Sequence, residues 1–592
     1  MTDLRDDGRW RERPAILAAV GLVAALAVER LLHLDWLSGA SPRALTPQRI
    51  ALAALVATGA IAFVFTAERV RLAWAIGFAA AAAAVAGLVV WWNGGPGLEG
   101  LWDWRSASLF LAIAIAAPLF QTARDEGVAR FPYGEIHAHA WTNVVLWFLG
   151  WGFAGVVMLL AWLLAALFDL IGIKLLSEML QKSWFAAGLV GAAAAGGVGL
   201  LRERDRIVRT LQRVLTAVLS VLAPVLGVGM VLFLLALPFT GLNALWEATK
   251  ATTPILLACV AGALVLANAV IGDGAESEAG APALRWSAMA LGVACLPLGV
   301  IAATATGLRI DQYGLSPSRL WAVVFVAVAC AYGIAYLVSL LRGRSGWAPA
   351  VRRANLRLAF ALAGIALILA TPLVSFNALA TRDQVARLAS GRVTPQKFDW
   401  AALAFDFGEP GKAALAGLRG SRDAEVAKLA REVSGKANRY EANQTATEAR
   451  ARDAMPERLR VLPRPVPLPK GLRDVLPQYG ACGTSTDEAC TLVYRAGASE
   501  AVAVPHACLQ RLAAETLPGV RDDLLRGPDC EVGVLKANGA TWRVVMDRER
   551  PGRTSAQVGA ILAGLKAGAL EVRSVERRQL FIGGEPVGIA FD

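Results

Sequence analysis

The sequence predicts a mainly α-helical fold: a polytopic transmembrane bundle of about eleven helices, then a helical stalk and a small disulfide-stapled α+β domain outside the membrane. Hydrophobic residues make up 56% of the 592 residues and charged residues only 18%, which is outside the usual range of soluble proteins. Nearly all of the apolar excess lies before residue 380. Four of the seven cysteines cluster in the more polar remainder.

Eleven apolar runs have the length and composition of membrane-spanning helices and define a bundle over residues 1–379. The fourth run is the shortest, and a re-entrant or buried segment is the alternative for it. The runs cover residues 14–33, 50–67, 72–92, 107–120, 140–168, 184–201, 214–237, 253–271, 286–307, 320–341 and 358–379. In the sixth run, Gly188, Ala192 and Gly196 recur every four residues, which favours close approach of a neighbouring helix.

Loop charge predicts the orientation of the bundle. With eleven spans and a cytoplasmic N-terminus, the predicted cytoplasmic segments hold 19 Lys and Arg residues against 8 in the opposite loops. Because the number of spans is odd, this topology places the chain after residue 380 outside the cytoplasm. The net charge of +12 then indicates contact with membrane lipids, since no basic stripe interleaved with aromatic residues suggests nucleic acid.

The cysteines support an external tail. Cys259, Cys295 and Cys330 lie in apolar runs, where a thiol is usually a small packing residue. The other four suggest two disulfides of undetermined connectivity in an oxidising compartment. Their gaps of 8, 18 and 22 residues do not fit common zinc spacings, although a metal site is an alternative. The four are Cys482, Cys490, Cys508 and Cys530.

The tail divides into three parts by composition. Residues 380–455 are predicted as a helical stalk, with a helix start near Ser421 and Asp423. Residues 456–470 are a proline-rich spacer, and residues 471–592 are the α+β domain. Strands are predicted at 490–496 and 531–537, and Asn538-Gly539 predicts a hairpin into a following strand. A helix is expected over 554–570, and strands around Gly583-Gly584.

The segment YGEIHAHAW (133–141) is the sharpest polar cluster, at the cytoplasmic entry to the fifth predicted helix. Glu135, His137 and His139 alternate, whereas histidines that bind metal on a helix prefer a spacing of four. A metal site is therefore a minor alternative. The main interpretation is an interfacial anchor, with the histidines at the lipid headgroups and Trp141 in the aromatic belt.

A second polar cluster lies in the loop between the ninth and tenth predicted helices. Ser316 or Ser318 is expected to cap the tenth helix, and Gly314 permits a tight turn. The alternative is a small polar site formed by Arg309, Asp311 and Tyr313.

Ionisable residues are nearly absent from the apolar runs. Only Glu29 and Arg30 qualify, near the outer end of the first run, where snorkelling to the interface explains them. No phosphate loop, nucleophile elbow or paired zinc-ligand helix occurs, and we expect no catalytic residue and no cofactor.

Three segments resemble one bacterial family. LRIDQYGLSPSRLW (308–321), NLRLAFALAGIALILATPLVSFNALATRDQVARLASGRV (355–393) with the following KFDWAALAFDFG, and EIHAHAWTN are similar to multi-pass inner-membrane proteins that carry the 4153-type domain of unknown function. The resemblance implies an inner-membrane protein of Gram-negative bacteria. It implies no activity and no functional residues.

Two functional hypotheses remain open. The first is a non-enzymatic envelope protein, in which the bundle anchors a periplasmic domain that senses, scaffolds or recruits a protein partner. The alternative is a transporter or membrane-embedded enzyme for a lipid or small amphiphile. A polar cavity reaching the middle of the membrane would favour the alternative, and a tightly packed bundle would favour the first.

Overall fold

The computed structural model describes residues 10–32, 45–94, 103–248, 251–343, 346–478, 481–486, 488–506, 533–545, 560, 563–564, 567, 578–582 and 585–591. The chain divides into two compact units, Met1–Arg392 and Val393–Asp592. Each unit has a hydrophobic core of its own.

The first unit is helical. Its helices are α1 (Arg13–Leu32), α2 (Pro47–Thr66), α3 (Leu72–Asn93), α4 (Trp104–Glu126), α5 (Tyr133–Leu170), α6 (Leu175–Leu180), α7 (Ser183–Arg202), α8 (Asp205–Ala248), α9 (Thr252–Ile271), α10 (Pro282–Tyr313), α11 (Pro317–Gly343), α12 (Trp347–Ala370) and α13 (Phe376–Ala389). Of the helices that the structure describes in the first unit, eleven are long and apolar enough to cross a membrane, all except α6 and α13. The predicted multi-pass bundle is therefore confirmed.

The fourth apolar run is part of a longer helix than predicted. Polar residues at both ends of α4 continue the helix to 23 residues, because Asp103 caps its start and Gly127 ends it in a left-handed conformation. At about 1.5 Å per residue this helix is about 34 Å long, enough to cross the hydrocarbon layer.

The last membrane helix lies earlier than the predicted run 358–379, which is a correction. α12 ends at Ala370, because Pro372 lacks an amide hydrogen and favours an extended residue before it. Thr371 is extended accordingly, with ψ 160°. Ser375 then caps a separate helix, α13, by accepting from the Ala378 amide. At its other end α12 begins at Trp347, so residues 347–357, which lie between the last two predicted runs, are helical.

Small residues let α1 and α7 pack closely, as predicted. A Cβ on Gly188 would contact Leu22, and one on Gly196 would contact Ala18. The closest approach is at a pair that the four-residue pattern missed, Gly21 and Gly191. A Cβ on either would collide with the backbone carbonyl of the other. The absence of side chains here allows the two backbones to touch.

The second unit combines helices with a mixed sheet. A short π-helical turn (Ala402–Asp406) precedes α14 (Gly408–Leu418), α15 (Ala424–Ser434), α16 (Arg439–Arg458) and, after β1, α17 (Lys470–Val475). The strands are β1 (Leu459–Leu462), β2 (Cys490–Val493), β3 (Glu500–Pro505), β4 (Gly533–Asn538) and β5 (Thr541–Val545). They pair in chain order, β1 parallel to β2 and the rest antiparallel. A separate antiparallel pair is β6 (Arg578–Ile582) with β7 (Glu585–Phe591).

The predicted local signals of the tail match the structure. Asp423 caps α15, accepting from the Glu425 and Val426 amides. The hairpin forms at Asn538-Gly539, where Gly539 has a positive φ and Asn538 pairs with Thr541. β1 lies inside the range assigned to the proline-rich spacer and pairs with β2. Most of the helix predicted over 554–570 lies outside the described residues.

Candidate functional site

One end of the bundle is held together by five arginines, and we call it the arginine end. α2, α4, α7 and α9 finish there, whereas α1, α3, α5 and α12 begin there. The arginines are Arg13, Arg71, Arg124, Arg202 and Arg352. The sequence predicted all five in cytoplasmic segments outside the apolar runs, but three of them are buried in the structure: Arg13, Arg124 and Arg352.

Arginine side chains cap the C-terminal ends of neighbouring helices. Arg124 donates to the Thr66 carbonyl at the end of α2, and Arg202 donates to the Val64 carbonyl at 2.9 Å. Arg71 donates to the Arg124 and Asp125 carbonyls at the end of α4. The last carbonyls of a helix lack intrahelical partners and carry partial negative charge, so a cation is the donor that suits them best.

Carboxylates neutralise part of this charge. Glu68, just after α2, forms ion pairs with both Arg13 and Arg202. Arg13 also pairs with Glu203 at 3.2 Å. These pairs join the ends of α1, α2 and α7 at a single point of the arginine end.

Arg352 of α12 caps α9 in the same manner. Its guanidinium donates to the Ile271 carbonyl at 2.5 Å and to the Gly274 carbonyl at 2.8 Å, and it pairs with Glu278 at 3.2 Å. Glu278 is shared with Arg285 at the start of α10. Arg352 therefore fixes the α9–α10 loop against α12.

Next to Arg352, five side chains from four helices form a hydrogen-bonded group that we call the amide–tyrosine network. Asn268 of α9 is its centre. Its side-chain nitrogen donates to the Tyr336 hydroxyl at 2.8 Å, and its oxygen accepts from Asn355 at 2.7 Å. Tyr133 lies 3.3 Å from His137 Nδ1 and 3.5 Å from both amides. Members are Tyr133, His137, Asn268, Tyr336 and Asn355.

The network can hold helices in register. It contains no carboxylate, and most of its donors and acceptors satisfy one another. The exception is Asn355 Oδ1, which is buried and has no hydrogen-bond partner among the described residues. A polar group at this depth usually needs a partner, so this oxygen can accept a hydrogen bond from a water molecule.

The structure separates the three residues of the predicted EIHAH cluster. They lie in the first two turns of α5, which begins at Tyr133. Glu135 is exposed, His137 joins the amide–tyrosine network, and His139 Nε2 lies 3.1 Å from Asp125 Oδ2 of α4. No three His, Cys, Asp or Glu side chains in the described part of the chain are grouped to hold a metal ion.

Arg309, Asp311 and Tyr313 lie in the last turn of α10, at the opposite end of the bundle. Side chains of α13 bind backbone groups of the turn between α10 and α11, and we call this arrangement the clasp. Asp383 accepts from the Leu315 amide at 2.7 Å. Gln384 donates to the Tyr313 and Leu315 carbonyls, and Arg387 donates to the Asp311 and Gln312 carbonyls.

Gly314 makes the clasp possible. Its φ is +76°, and a Cβ there would lie 2.6 to 2.7 Å from atoms of Asp383, Gln384 and Arg387. Arg319 donates to the Gly314 carbonyl at 2.7 Å and lies over the Tyr313 ring. Ser316 accepts from the Arg319 amide and caps α11, as predicted.

In the second unit, Cys482 and Cys490 form a disulfide. Cys508 and Cys530, the other two predicted partners, lie outside the described residues. Buried Arg458 binds the loop that this disulfide closes, donating to the Gly483 and Glu488 carbonyls, both at 2.9 Å. Burial lowers the pKa of the Arg458 guanidinium, and Glu488 partly opposes that shift.

His506, directly after β3, is the only histidine of the tail. Its Nε2 lies 2.8 Å from the hydroxyl of Thr491, a fully buried residue of β2. Burial lowers the pKa of His506, and the positive charge of Arg460 lowers it further.

The family described as a domain of unknown function, DUF4153, matches residues 50–406. The chain belongs to this family. The match covers α2 to α13, including the clasp, and most of the arginine end, but not the sheet of the second unit. Neither a curated protein nor a solved structure matches this chain.

Sequence reasoning missed the members of the amide–tyrosine network other than Tyr133 and His137. A usable signal existed, because Asn268 and Asn355 are amides within or beside apolar runs. Polar side chains at such positions usually find partners on other helices. Both side chains are neutral, so neither stands out among the ionisable residues.

Proposed function

We propose that this multi-pass membrane protein lies in the bacterial inner membrane, where its bundle anchors the second unit in the periplasm. There the second unit senses a condition or recruits a protein partner, without catalysing a reaction. The observation that carries the proposal is the Cys482–Cys490 disulfide inside a unit with its own core. Disulfides of this kind persist in oxidising compartments, and the bacterial periplasm is one.

The arginine end supports the orientation. Lys and Arg near the ends of membrane helices favour the cytoplasmic side. The arginine end therefore faces the cytoplasm in this proposal, and α1 begins there. After eleven spans the chain emerges on the other side, at the end that carries the clasp.

The second candidate function, a transporter or membrane-embedded enzyme for a lipid or amphiphile, is favoured by one observation. An apolar groove of about 710 Å³ lies between α1 and α2. The polar side chains of the amide–tyrosine network, in contrast, are largely satisfied by one another. That pairing favours the anchor over a polar transport path.

Reporter fusions test the orientation. A reporter that is active only in the periplasm should be active after Asp592 and inactive when fused after Gly343, at the end of α11. A cytoplasm-specific reporter should give the opposite pattern. Activity of the cytoplasmic reporter after Asp592 would refute the anchoring of a periplasmic domain.

Crosslinking in intact cells tests partner recruitment. A photoreactive amino acid at Tyr440, 79% exposed on α16 of the second unit, should give a protein adduct of one defined mass. The matched control is Phe239, 90% exposed on α8 of the bundle, which should give none. Adducts at Phe239 but not at Tyr440 would favour a partner of the bundle and contradict the proposal.

A further inference from the structure

The two sides of α1 differ. One side packs closely against α7 through Gly21, whereas the other side leaves the groove toward α2. The groove is lined only by apolar residues: Ala19, Val20, Val23, Ala24, Ala27, Val56, Gly59, Ala60 and Phe63. Val23 is 66% exposed, so the groove is open along its side. In a bilayer that side faces lipid chains.

Two arginines lie at one mouth of the groove. Arg30 follows Ala27 by three residues and Val23 by seven, which places it on the groove face of α1. Arg49 precedes Val56 by seven residues on α2. Its guanidinium donates to the Arg30 carbonyl at 3.3 Å, so the Arg49 guanidinium lies beside the backbone from which the Arg30 side chain starts. Neither forms an ion pair with a residue that the structure describes.

The neighbouring carboxylate is engaged elsewhere. Glu29 accepts a hydrogen bond from Ser183 of α7 at 2.7 Å, on the closely packed side of α1. The mouth of the groove therefore combines two guanidinium groups with an apolar channel below them. Guanidinium groups bind phosphate oxygens in a forked, two-bond geometry.

The dimensions fit a phospholipid. From Arg30 to the far end of the groove at Ala19 the helix rises about 16 Å. One leaflet of a bilayer contributes about 15 Å of hydrocarbon. A phosphate held at Arg30 and Arg49 would place its acyl chain along the whole groove.

We infer that this groove binds one anionic phospholipid, with the phosphate between Arg30 and Arg49 and one acyl chain along Val23, Ala24 and Ala60. The site lies in the leaflet opposite the arginine end. The inference requires only that the bundle lies in a membrane, and it does not depend on a role for the second unit.

Native mass spectrometry of the full chain in detergent tests the site. With added phosphatidylglycerol, the wild type should retain one lipid per chain under conditions that remove phosphatidylcholine. The double variant Arg30→Gln/Arg49→Gln should bind phosphatidylglycerol about tenfold more weakly or worse, since it loses the charge-assisted contacts. The double variant Ala24→Leu/Ala60→Leu, which fills the groove, should also lose the lipid.

Matched controls make the outcomes decisive. Arg382→Gln/Arg392→Gln removes two exposed arginines outside the groove and should leave binding unchanged. Equal retention of both lipids, or unchanged binding by the Arg30→Gln/Arg49→Gln variant, would overturn the site. Loss of lipid on adding millimolar inorganic phosphate, or no effect of Ala24→Leu/Ala60→Leu, would show an anion site without the acyl-chain groove. Unchanged thermal unfolding of the arginine variant would confirm that the fold is intact.

Discussion

Arg352 in the first unit and Arg458 in the second unit are buried to the same degree, 7% and 8% exposed, and both bind backbone carbonyls. Arg352 caps the end of α9 and pairs with Glu278. Arg458 binds an irregular loop that the Cys482–Cys490 disulfide also closes. The loop after α9 is held by the Arg352 guanidinium, whereas the loop between Cys482 and Cys490 is held by Arg458 and by a covalent bond as well.

The difference follows from what surrounds each loop. Carbonyls at the end of α9 lie beside an apolar bundle, where an unpaired backbone group is costly. The loop between Cys482 and Cys490 contains exposed residues. Water can therefore replace the Arg458 donor more easily if that side chain is removed. The same arginine–carbonyl contact should therefore contribute more to stability in the bundle.

Replacing Arg352 should have the largest effect. Arg352→Met leaves the Ile271 and Gly274 carbonyls without their donor and removes a partner of Glu278. We expect a loss of about 3 kcal/mol in the free energy of unfolding, as for other buried charged groups that lose a partner. Unfolding of the full chain in mixed micelles measures it. The matched control is Arg353→Met, the exposed neighbour, which should change stability little. Equal losses in the two variants would contradict the comparison.

The disulfide should come second. Removing a bridge across 8 residues by Cys482→Ser/Cys490→Ser should cost about 2.5 kcal/mol through the entropy of the unfolded chain. Arg458→Met should cost about 2 kcal/mol. The combined variant should cost less than both together, because an opened loop exposes its carbonyls to water.

Pulse proteolysis of the second unit in the full chain measures each of these variants. Strict additivity would show that Arg458 and the disulfide hold different structures. A combined loss larger than the sum would show that either the disulfide or Arg458 alone can hold the loop when the other is absent.

The clasp should give a smaller effect without any change of charge. In Gly314→Ala the alanine must keep a positive φ, and its Cβ collides with three side chains of α13. We expect this variant to lose about 2 kcal/mol in the free energy of unfolding. Gly391→Ala is the control, because Gly391 has φ +72° with no atom within 4 Å of its Cβ. Thermal unfolding should separate the two. Equal effects would show that backbone strain alone matters and that the clasp contributes nothing.

The sequence was sufficient where one physical pattern determines the structure. Apolar runs predicted eleven spans, and Asn538-Gly539 predicted the β4–β5 hairpin, because both signals are local. The eleventh span exists, but its predicted bounds of 358–379 were wrong because summed hydropathy outweighed the helix-ending effect of Pro372. The long-range partners of the arginines could not be predicted.

Arg202 and Val64, for example, are 138 residues apart and meet only once the helices have packed. Charge counting placed such arginines on one side of the membrane without showing that they bind helix ends. For Cys482, spacing predicted oxidation, while the choice of Cys490 as its partner depended on β2.

His506 should give the smallest effect, and it tests whether the second unit tolerates a positive charge on a half-buried side chain. Because burial lowers its pKa, the folded state binds a proton less readily than the unfolded chain. Stability from this residue is thus present above the unfolded pKa of about 6.5 and is lost as the pH falls below it. Hydrogen exchange of β2 and β3 should show protection that decreases from pH 7.5 to pH 5.5, after correction for intrinsic exchange rates. His506→Gln keeps a hydrogen-bonding group for the Thr491 hydroxyl without titrating in this range, so β2 and β3 of this variant should lose less protection. The same loss in both proteins, or a gain in the wild type on acidification, would show that His506 does not carry the pH dependence.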